Sequence, residues 1–356
     1  VFAFETLNEV VDFLEGRTVV SPVEKCEVLF NIGTKYKEDF KYVRGQYVAK
    51  RALEIAAAGG HNVLMVGPPG AGKTMLAKCI PSILPDFTVQ EALETTKIHS
   101  VAGVLNENDG LVFTRPFRSP HHTVSPIALT GGGSNARPGE MSLAHNGVLF
   151  LDELPEYPRS CLEILRQPLE DGVINISRAA RTVEYPAQFM LVASMNPCPC
   201  GYFGSKTREC TCTPLQISKY LSKLSGPLMD RIDLHISVDS VTYDDLTGDS
   251  LAESSEKIRE RVNKARRIQL ERFMGTGVHC NAKMTAVMLK EFCKTDDESE
   301  RLLRQAFDKL KLSARAYTRI LKVARTIADL AGEENITIKH ISEALNYRSM
   351  DRDYLG

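Results

Sequence analysis

The stretch "NVLMVGPPGAGKTMLAKCI", at positions 62–80, constrains the fold more than any other part of the chain. It carries the pattern G-x-x-x-x-G-K-[ST] between a strand-like apolar run and a helix-like run, the context that this motif requires. The backbone N–H groups of such a loop, with the first turn of the following helix, bind the phosphates of a nucleotide. The sequence therefore predicts an ATP-binding strand–loop–helix unit with the contact residues Gly67, Pro68, Pro69, Gly70, Ala71, Gly72, Lys73, Thr74 and Met75.

Polar side chains at the ends of apolar runs complete the predicted nucleotide site. In the loop, Lys73 is expected to neutralise the β- and γ-phosphates, and the Thr74 hydroxyl to ligate Mg²⁺. "GVLFLDELPE" ends an apolar run with Asp152 and Glu153, which we assign to the Mg²⁺ shell and to general-base activation of the attacking water. "FMLVASMNP" ends in Asn196, a polar residue within reach of a water or of the γ-phosphate. The predicted chemistry is Mg²⁺-dependent ATP hydrolysis.

The fold class follows from the order of apolar and helical runs. "NVLMV", "GVLFL", "FMLVA" and "LHISV" are continuous rather than alternating, which indicates strands of a parallel sheet covered on both faces. From residue 250 onward the runs have helical spacing. We predict an α/β fold, with a linker remnant at 1–40, a P-loop core with a parallel sheet at 41–240, and an all-helical C-terminal lid at 241–356.

Composition narrows the class of protein. A hydrophobic share of 43% and a charged share of 25% are typical of a soluble globular protein. No apolar run approaches the ~18 residues of a membrane span. A net charge of −1 gives no global attraction to nucleic acid, so such binding would need local basic patches. Nine cysteines without a signal-like start indicate a reducing compartment, and we expect a cytoplasmic protein with no membrane partner.

Four of the cysteines follow a ligand-like pattern, C-x-C, a nine-residue spacer and C-x-C. Two close pairs of thiolates form the donor set of a structural Zn²⁺ ion, which would act as the core of a loop that has few apolar residues. An iron–sulfur cluster and free thiols are the alternatives. The predicted zinc ligands are Cys198, Cys200, Cys210 and Cys212.

The spacer between the two cysteine pairs, "GYFGSKTRE", combines aromatic and basic side chains. This composition suits contact with single-stranded nucleic acid, and it suits contact with a protein equally well. The residues concerned are Tyr202, Phe203, Lys206 and Arg208.

The order of the motifs resembles that of the AAA+ superfamily: a P-loop, an acidic strand end, a strand ending in asparagine, and then "GPLMDRIDLHISV". The resemblance implies that Asn196 is the sensor 1 residue and that Arg231 is an arginine finger for the ATP of a neighbouring subunit. It also implies that Arg315 in the lid is sensor 2, with Arg319 as the alternative. An ordinary surface ion pair is the competing interpretation of each arginine.

Longer strings narrow the resemblance further. "FRSPHHTVSPIALTGGG", "RPGEMSLAHNGVLFLDELPE" and "MNPCPCGYFG" closely resemble the magnesium-chelatase-like ATPases called ComM or YifB, and the likeness runs from about residue 40 to the end. It implies a hexameric bacterial ATPase that acts in branch migration of DNA during natural transformation, with other recombination or DNA-uptake proteins as further partners. Members also carry an amino-terminal Lon-protease-like domain, which we expect to be lacking because it would precede residue 1.

The same resemblance extends to the magnesium chelatase motor subunit and the MCM helicases, and it implies a β-hairpin before sensor 1. "GVINISRAARTVEYPAQF" supplies that hairpin, with Arg178 and Arg181 at or near its tip. In the pore of a ring these arginines would contact DNA phosphates, the alternative being a solvated turn. "RPFRSPHHTVSP" would be the second-helix insert. Adjacent histidines cannot share one helical face, so we expect His121 and His122 to serve in the pore or in packing rather than to bind a metal.

The leading hypothesis is an ATP-hydrolysing hexameric motor that acts on DNA as a branch-migration translocase or helicase. A chelatase-type motor with a protein partner is the first alternative, and the cysteine loop counts against it. A protein remodeller is the second, although the insert shows no clear aromatic pore loop. A non-enzymatic, nucleotide-dependent scaffold is the third, and the complete set of predicted catalytic residues argues against it.

Overall fold

The structure, a computed structural model, describes residues 2–22, 36–105, 110–133, 136–178, 181–205, 208–240, 252–310 and 312–348. The chain divides into two units, Val1–Thr34 and Lys35–Gly356. The described part of the first unit contains helix α1 (Leu7–Leu14), whose first turn is capped where the Thr6 hydroxyl accepts from the Glu9 N–H group. Among the described helices, none combines the length and apolar character that crossing a bilayer requires.

The second unit is built on a parallel sheet. Its strands in chain order are β1 (Val63–Val66), β2 (Phe117–Arg118), β3 (Gly131–Gly132), β4 (Arg137–Pro138), β5 (Val148–Leu151), β6 (Val173–Arg178), β7 (Arg181–Pro186), β8 (Met190–Met195) and β9 (Leu234–Ser237). Five of them pair in parallel in the order β2-β5-β8-β1-β9. The other four form two antiparallel hairpins, β3 with β4 and β6 with β7. The parallel sheet confirms the predicted α/β class.

Both faces of the sheet are covered, and successive residues of a central strand belong to different cores. In β1, Val63 and Met65 pack into one hydrophobic core, while Leu64 and Val66 pack into the other. Strands β5 and β8 alternate between the two cores in the same way. Because both faces of these strands are buried, their sequences are apolar at successive positions rather than alternating.

The helices of the core lie on both sides of this sheet. They are α2 (Tyr47–Gly59), α3 (Lys73–Cys79), α4 (Val89–Ala102), α5 (Pro126–Thr130), α6 (Glu140–Leu143), α7 (Arg159–Ile164), α8 (Arg166–Asp171), α9 (Pro214–Leu221) and α10 (Gly226–Met229). Helix α2 is rich in alanine, so its backbone packs closely on β9. It ends at Gly60, whose φ of +72° is the left-handed conformation that glycine adopts most readily.

The described residues between 252 and 348 are mostly helical, as predicted. The helices there are α11 (Ser255–Arg272), α12 (Ala286–Phe292), α13 (Asp297–Leu310), α14 (Ala314–Ala331) and α15 (Ile338–Asn346). Helix α14 packs against α2, α11 and α15. In its last turn the buried carboxylate of Asp329 accepts hydrogen bonds from Arg272, Arg325 and Asn281, which ties these helices together. The predicted domain boundaries stay a prediction.

The two edges of the sheet carry different groups. At the carboxyl edge, β1 leads into the P-loop, β5 into Asp152 and β8 into Asn196. At the amino edge, Asn62 precedes β1 and Asp233 precedes β9, and the Asn62 N–H group donates to the Asp233 carboxylate at 2.8 Å. The Asn62 side chain also donates to the Arg231 carbonyl oxygen at 2.9 Å. The four residues of β1 span roughly 13 Å at about 3.3 Å per residue, so the two edges are well separated.

Candidate functional site

The P-loop, residues 67–74, turns sharply from β1 into α3 because of its glycines. A Cβ at Gly67 would lie 2.1 Å from the Val238 carbonyl oxygen, so only glycine fits beside the end of β9. Gly72 caps α3 with a φ of +90°, and Gly70 has a φ of +78°. Both values lie in the region that favours glycine. The turn leaves the first N–H groups of α3 at the carboxyl edge of the sheet, where helix starts attract phosphate.

Lys73, the first residue of α3, points its ammonium group back into this turn. It donates to the carbonyl oxygens of Gly67 at 2.7 Å and Pro68 at 2.9 Å, and to the Asn196 side-chain oxygen at 3.1 Å. Burial lowers the pKa of Lys73, and the nearby negative charge of Asp152 opposes that effect. The structure thus brings the P-loop lysine and the asparagine after β8 into direct contact.

Thr74 and Asp152 form a pair of oxygen ligands next to the P-loop. The Thr74 hydroxyl donates to Asp152 Oδ2 at 2.8 Å, and the Ser194 hydroxyl donates to the other oxygen of that carboxylate. Hydroxyl and carboxylate oxygens are the ligands that Mg²⁺ prefers, and Mg²⁺ commonly takes one or two of them from the protein. The donor set therefore fits Mg²⁺, with Thr74 and Asp152 as the residues that would hold it.

Glu153 has a constrained backbone and an accessible carboxylate. Its φ of +55° is unusual for a residue with a side chain, and its N–H group donates to Asp152 Oδ1 at 3.1 Å. The side chain is 56% exposed, so water reaches the carboxylate. One of its oxygens lies 3.5 Å from His122 Nδ1. The structure places His122 beside the predicted general base. The expected role of His122 in a pore or in packing stays a prediction.

Two further residues of this edge were not found from the sequence. Ser194, which holds the Asp152 carboxylate, is fully buried in β8, and a small polar residue inside the apolar run "FMLVASMNP" is the signal that could have revealed it. Gln46 adopts a left-handed conformation with a φ of +54°, and its side-chain amide donates to the carbonyl oxygens of Ala71 and Asp239. It therefore links the P-loop to the end of β9, a contact that only the folded chain reveals.

The predicted arginine finger and both sensor 2 candidates lie elsewhere, in one cavity at the amino edge. The cavity has a volume of about 380 Å³, and Asn62 and Asp233 lie in its wall. P-loop residues are not among those that line it. Its cationic lining consists of Arg231, Lys283, Arg315, Arg319 and Lys322.

Within this cavity the arginines differ in their contacts. Arg231 is buried, donates to the Pro227 carbonyl oxygen at 2.7 Å and forms an ion pair with Glu170. Its Nε atom has no hydrogen-bond partner among the described residues. Arg319 forms an ion pair with Asp233. Burial would raise the pKa of Asp233, but the positive charge of Arg319 lowers it below its usual range.

Arg315 is the exposed arginine of the group. The ion pair of Arg319 with Asp233 gives Arg319 a structural role at the amino edge. Of the two sensor 2 candidates, Arg315 is therefore the one whose side chain is presented to solvent. That assignment stays a prediction.

The cysteine loop, residues 198–212, follows Asn196 and gathers four sulfur atoms. Their Sγ atoms all lie within 4.8 Å of one another, and the Cys198–Cys200 and Cys198–Cys210 separations are 3.3 and 3.7 Å. Sulfurs around a tetrahedral Zn²⁺ lie roughly 3.8 Å apart, given Zn–S bonds of about 2.3 Å. The set Cys198, Cys200, Cys210 and Cys212 could therefore hold one metal ion.

Backbone N–H groups surround these sulfurs. The N–H group of Phe203 donates to the Cys198 sulfur at 3.3 Å, and that of Cys200 donates to the Cys212 sulfur at 3.4 Å. Hydrogen bonding from the Tyr202 backbone lowers the pKa of Cys200 to about 5, whereas desolvation and the neighbouring sulfurs raise the pKa of Cys210 and of Cys212. Such donors favour thiolates, which are the form that binds a metal.

The predicted nucleic-acid contacts are described only in part. A hairpin lies where the sequence predicts one, as β6 and β7 before Asn196, with Arg178 paired to Arg181 across the two strands. The side chains of these two arginines, like Lys206, lie outside the described residues. Arg208 is described, and its guanidinium stacks over the Tyr202 ring at 4.7 Å from the centroid.

These features together define a class. A five-stranded parallel sheet carries a P-loop after β1, an acidic pair after β5 and an asparagine after β8, and a helical region follows it. This is the architecture of an ATPase of the AAA+ class with a helical lid.

Comparison with known proteins narrows the class. The family model described as magnesium chelatase, subunit ChlI, matches residues 39–246, and that of the ChlI C-terminal region matches residues 252–348. The chain is 48% identical to competence protein ComM of Haemophilus influenzae over 98% of its length and 68% of that relative. It is 44% identical to YifB of Escherichia coli, over 97% of the chain and 67% of that relative. A more distant match is 28% identity to the magnesium-chelatase 67 kDa subunit of Chlorobaculum parvum, over 44% of the chain and 23% of that subunit. The chain belongs to the magnesium-chelatase-like AAA+ ATPases of the ComM and YifB family.

Proposed function

We propose that this chain hydrolyses MgATP as a homo-oligomeric, hexameric ring and uses the reaction to move along DNA. The observation that carries the proposal is the division of the predicted site between two edges of one sheet. Lys73 and Asp152 lie at the carboxyl edge, whereas Arg231 lines a cavity at the amino edge. Strands of this length keep the two groups on different sides of the same chain. A complete site therefore needs a second copy.

The carboxyl edge would bind the nucleotide and activate water. Lys73 would exchange its present carbonyl partners for oxygens of the β- and γ-phosphates. Mg²⁺, when bound at Thr74 and Asp152, neutralises charge that develops on the phosphates. Glu153 would take the proton of the attacking water, and Asn196 would orient that water.

The amino edge of the neighbouring copy would supply positive charge. Arg231 would leave Glu170 and reach the γ-phosphate of the adjoining subunit, which stabilises the transition state. Glu170 is 55% exposed in its side chain, so it can be rehydrated when the ion pair opens. The exposed Arg315 would approach the same nucleotide as sensor 2.

DNA as the substrate is supported by the hairpin and by the family. Arg178 and Arg181 pair at the end of the hairpin, and a ring would repeat this basic pair around its pore. The stacked Arg208 and Tyr202 offer a second surface of the kind that single strands contact. One relative, 48% identical to this chain, is called a competence protein. Branch migration in a cytoplasmic recombination pathway is the activity that these features support together.

The test is ATP turnover with and without single-stranded and forked DNA. The Lys73→Ala variant supplies the background, and the Arg178→Ala/Arg181→Ala double variant removes the proposed pore contact. We expect stimulation by DNA that the double variant loses. Turnover that is indifferent to DNA would overturn the translocase proposal and favour a protein partner, as in a chelatase-type motor or a protein remodeller.

Zinc is the metal that we propose for the cysteine loop. Four thiolates at these separations suit Zn²⁺, and the sulfurs receive backbone hydrogen bonds. Elemental analysis of protein purified without added metal should give one zinc per chain. Iron with visible absorbance would indicate a cluster instead, and metal-free protein with four reactive thiols would overturn the assignment.

A further inference from the structure

Gly201, inside the cysteine loop, touches the P-loop. Its φ is +86°, and a Cβ at this position would lie 2.6 Å from Pro69 Cδ and 3.0 Å from Pro69 Cγ. Only glycine allows the two loops to approach so closely. The next nearest atom, Asn196 Cγ at 3.8 Å, is at an ordinary van der Waals distance. The close contact is therefore specific to the pair Gly201 and Pro69.

Cys198, the first of the proposed metal ligands, holds the backbone around Gly201. The Gly201 N–H group donates to the Cys198 carbonyl oxygen at 3.0 Å, and the Phe203 N–H group donates to the Cys198 sulfur at 3.3 Å. Cys198 is completely buried. Two residues earlier, Asn196 accepts from the Lys73 ammonium. The turn around Cys198 thus lies between two contacts with the nucleotide site, one through Gly201 and one through Asn196.

We propose that the cysteine loop supports the P-loop through the Gly201–Pro69 contact, so that metal occupancy sets the affinity for nucleotide phosphates. The support of the P-loop by the cysteine loop is inferred from geometry alone. The dependence of nucleotide affinity on metal occupancy rests on the proposed metal site. A P-loop binds phosphates through backbone N–H groups whose positions must be fixed beforehand, because ordering them on binding would cost affinity. A loop with four thiols and few apolar residues keeps its shape through its metal. Gly201 is a positioning residue in this scheme, since it acts through Pro69.

The first test is the Gly201→Ala variant, with MgADP affinity measured by calorimetry and metal content measured alongside. We expect MgADP to bind more weakly by about fivefold or more while the metal content is unchanged, because the added methyl group displaces Pro69. The matched control is Gly275→Ala. Gly275 has a φ of +79° and no neighbouring atom within 4 Å of a built Cβ, so this variant carries the backbone strain without the collision. Its MgADP affinity should equal that of the unmodified protein.

A second variant separates support from general damage. Replacing Pro69 by alanine removes both atoms that the new methyl group would meet. The Gly201→Ala/Pro69→Ala double variant should therefore bind MgADP as well as Pro69→Ala alone. The proposal is overturned if Gly201→Ala leaves affinity unchanged, or if the double variant retains the full loss caused by Gly201→Ala.

The last arm tests the metal. Removing it with a chelator should weaken MgADP binding by a factor similar to that of Gly201→Ala, and added Zn²⁺ should restore binding. In Gly201→Ala, removal should have little further effect, because the support is already lost. Unchanged affinity after metal removal overturns the link to occupancy. A protein that purifies without metal defeats the zinc assignment and this link together, whereas the Gly201 and Pro69 variants still decide whether the loop supports the P-loop.

Discussion

His122 Nδ1 lies 3.5 Å from Glu153 Oε2, so the loop after β2 reaches the predicted general base. The His122 ring stands 4.0 Å from that of His121, which is bonded to Thr123 in turn. On the other side, the Tyr157 hydroxyl donates to the Pro120 carbonyl oxygen at 2.6 Å. The backbone next to His122 is thus held to Tyr157 through Pro120, and a local hydrogen bond joins the residues on either side of His122. From this approach we expect the imidazole to influence the orientation of the Glu153 carboxylate.

The first prediction concerns this contact. His122→Ala should lower ATP turnover by about tenfold, less than the loss of a general base itself, because Glu153 remains but is less well oriented. MgADP affinity should stay unchanged, since His122 lies away from the P-loop contacts. His122→Gln, whose side-chain amide can donate a hydrogen bond, should recover part of the rate, and His121→Ala is the control. Equal rates for His122→Ala and His121→Ala would contradict the assignment.

The second prediction concerns the division of the site between copies. Lys73→Ala should abolish turnover, and Arg231→Ala should lower it by about 10³-fold. Mixed rings should regain activity, because roughly a quarter of their head-to-tail interfaces would pair an intact P-loop with an intact Arg231. Turnover of the mixture against that of each variant alone is the measurement. No recovery in rings shown to contain both variants would place Arg231 in its own subunit's site or outside the reaction.

The third prediction concerns pH and stability. Burial would raise the pKa of Glu91. The positive charge of Arg115, whose Nη1 lies 3.0 Å from Glu91 Oε1, outweighs burial and lowers the pKa of Glu91 from 4.5 to about 2. A depressed carboxyl pKa stabilises the folded state above pH 4.5, and the effect fades as pH falls toward 2. We expect a loss of about 2 kcal/mol between pH 6 and pH 3 from this group. Urea unfolding measures it, with Glu91→Gln as the comparison.

In Glu91→Gln the helix cap is kept while the charge is removed. The difference in unfolding free energy between the two proteins should therefore shrink as the pH is lowered. A difference that is constant across this range would show that the Arg115 contact does not lower the pKa of Glu91 in the folded state.

The fourth prediction concerns the helical lid. Asp329 is 1% exposed and balances two arginines, so Asp329→Ala leaves buried charge without a partner. The free energy of unfolding should fall by about 3–5 kcal/mol. The exposed pair of Lys223 with Glu156 is the control, and Glu156→Ala should cost no more than about 1 kcal/mol. Thermal unfolding of both variants checks the contrast.

The residues of the candidate site that follow directly after strands could be predicted from the sequence. Lys73, Asp152 and Asn196 come together because parallel strands bring their carboxyl ends to one edge, and that rule needs no side-chain detail. The contact of Ser194 with Asp152 and that of His122 with Glu153 were not found from the sequence, because they depend on which strands pair and on how the loops fold back. Gly201 and Pro69 lie in two loops that are distant in sequence, so the sequence of neither loop predicts their contact. Sequence motifs therefore identify the predicted catalytic residues, whereas the residues that hold them in place are seen only in the folded structure.

The cavity at the amino edge has a consequence for how such a chain would behave in a cell. Under the proposed arrangement each subunit would carry one half of two different reaction centres, and neither half would hydrolyse ATP by itself. At low abundance the protein would store nucleotide without consuming it. ATP hydrolysis would begin only when subunits assemble, so its rate would depend on protein concentration. Isolated monomers would not consume ATP.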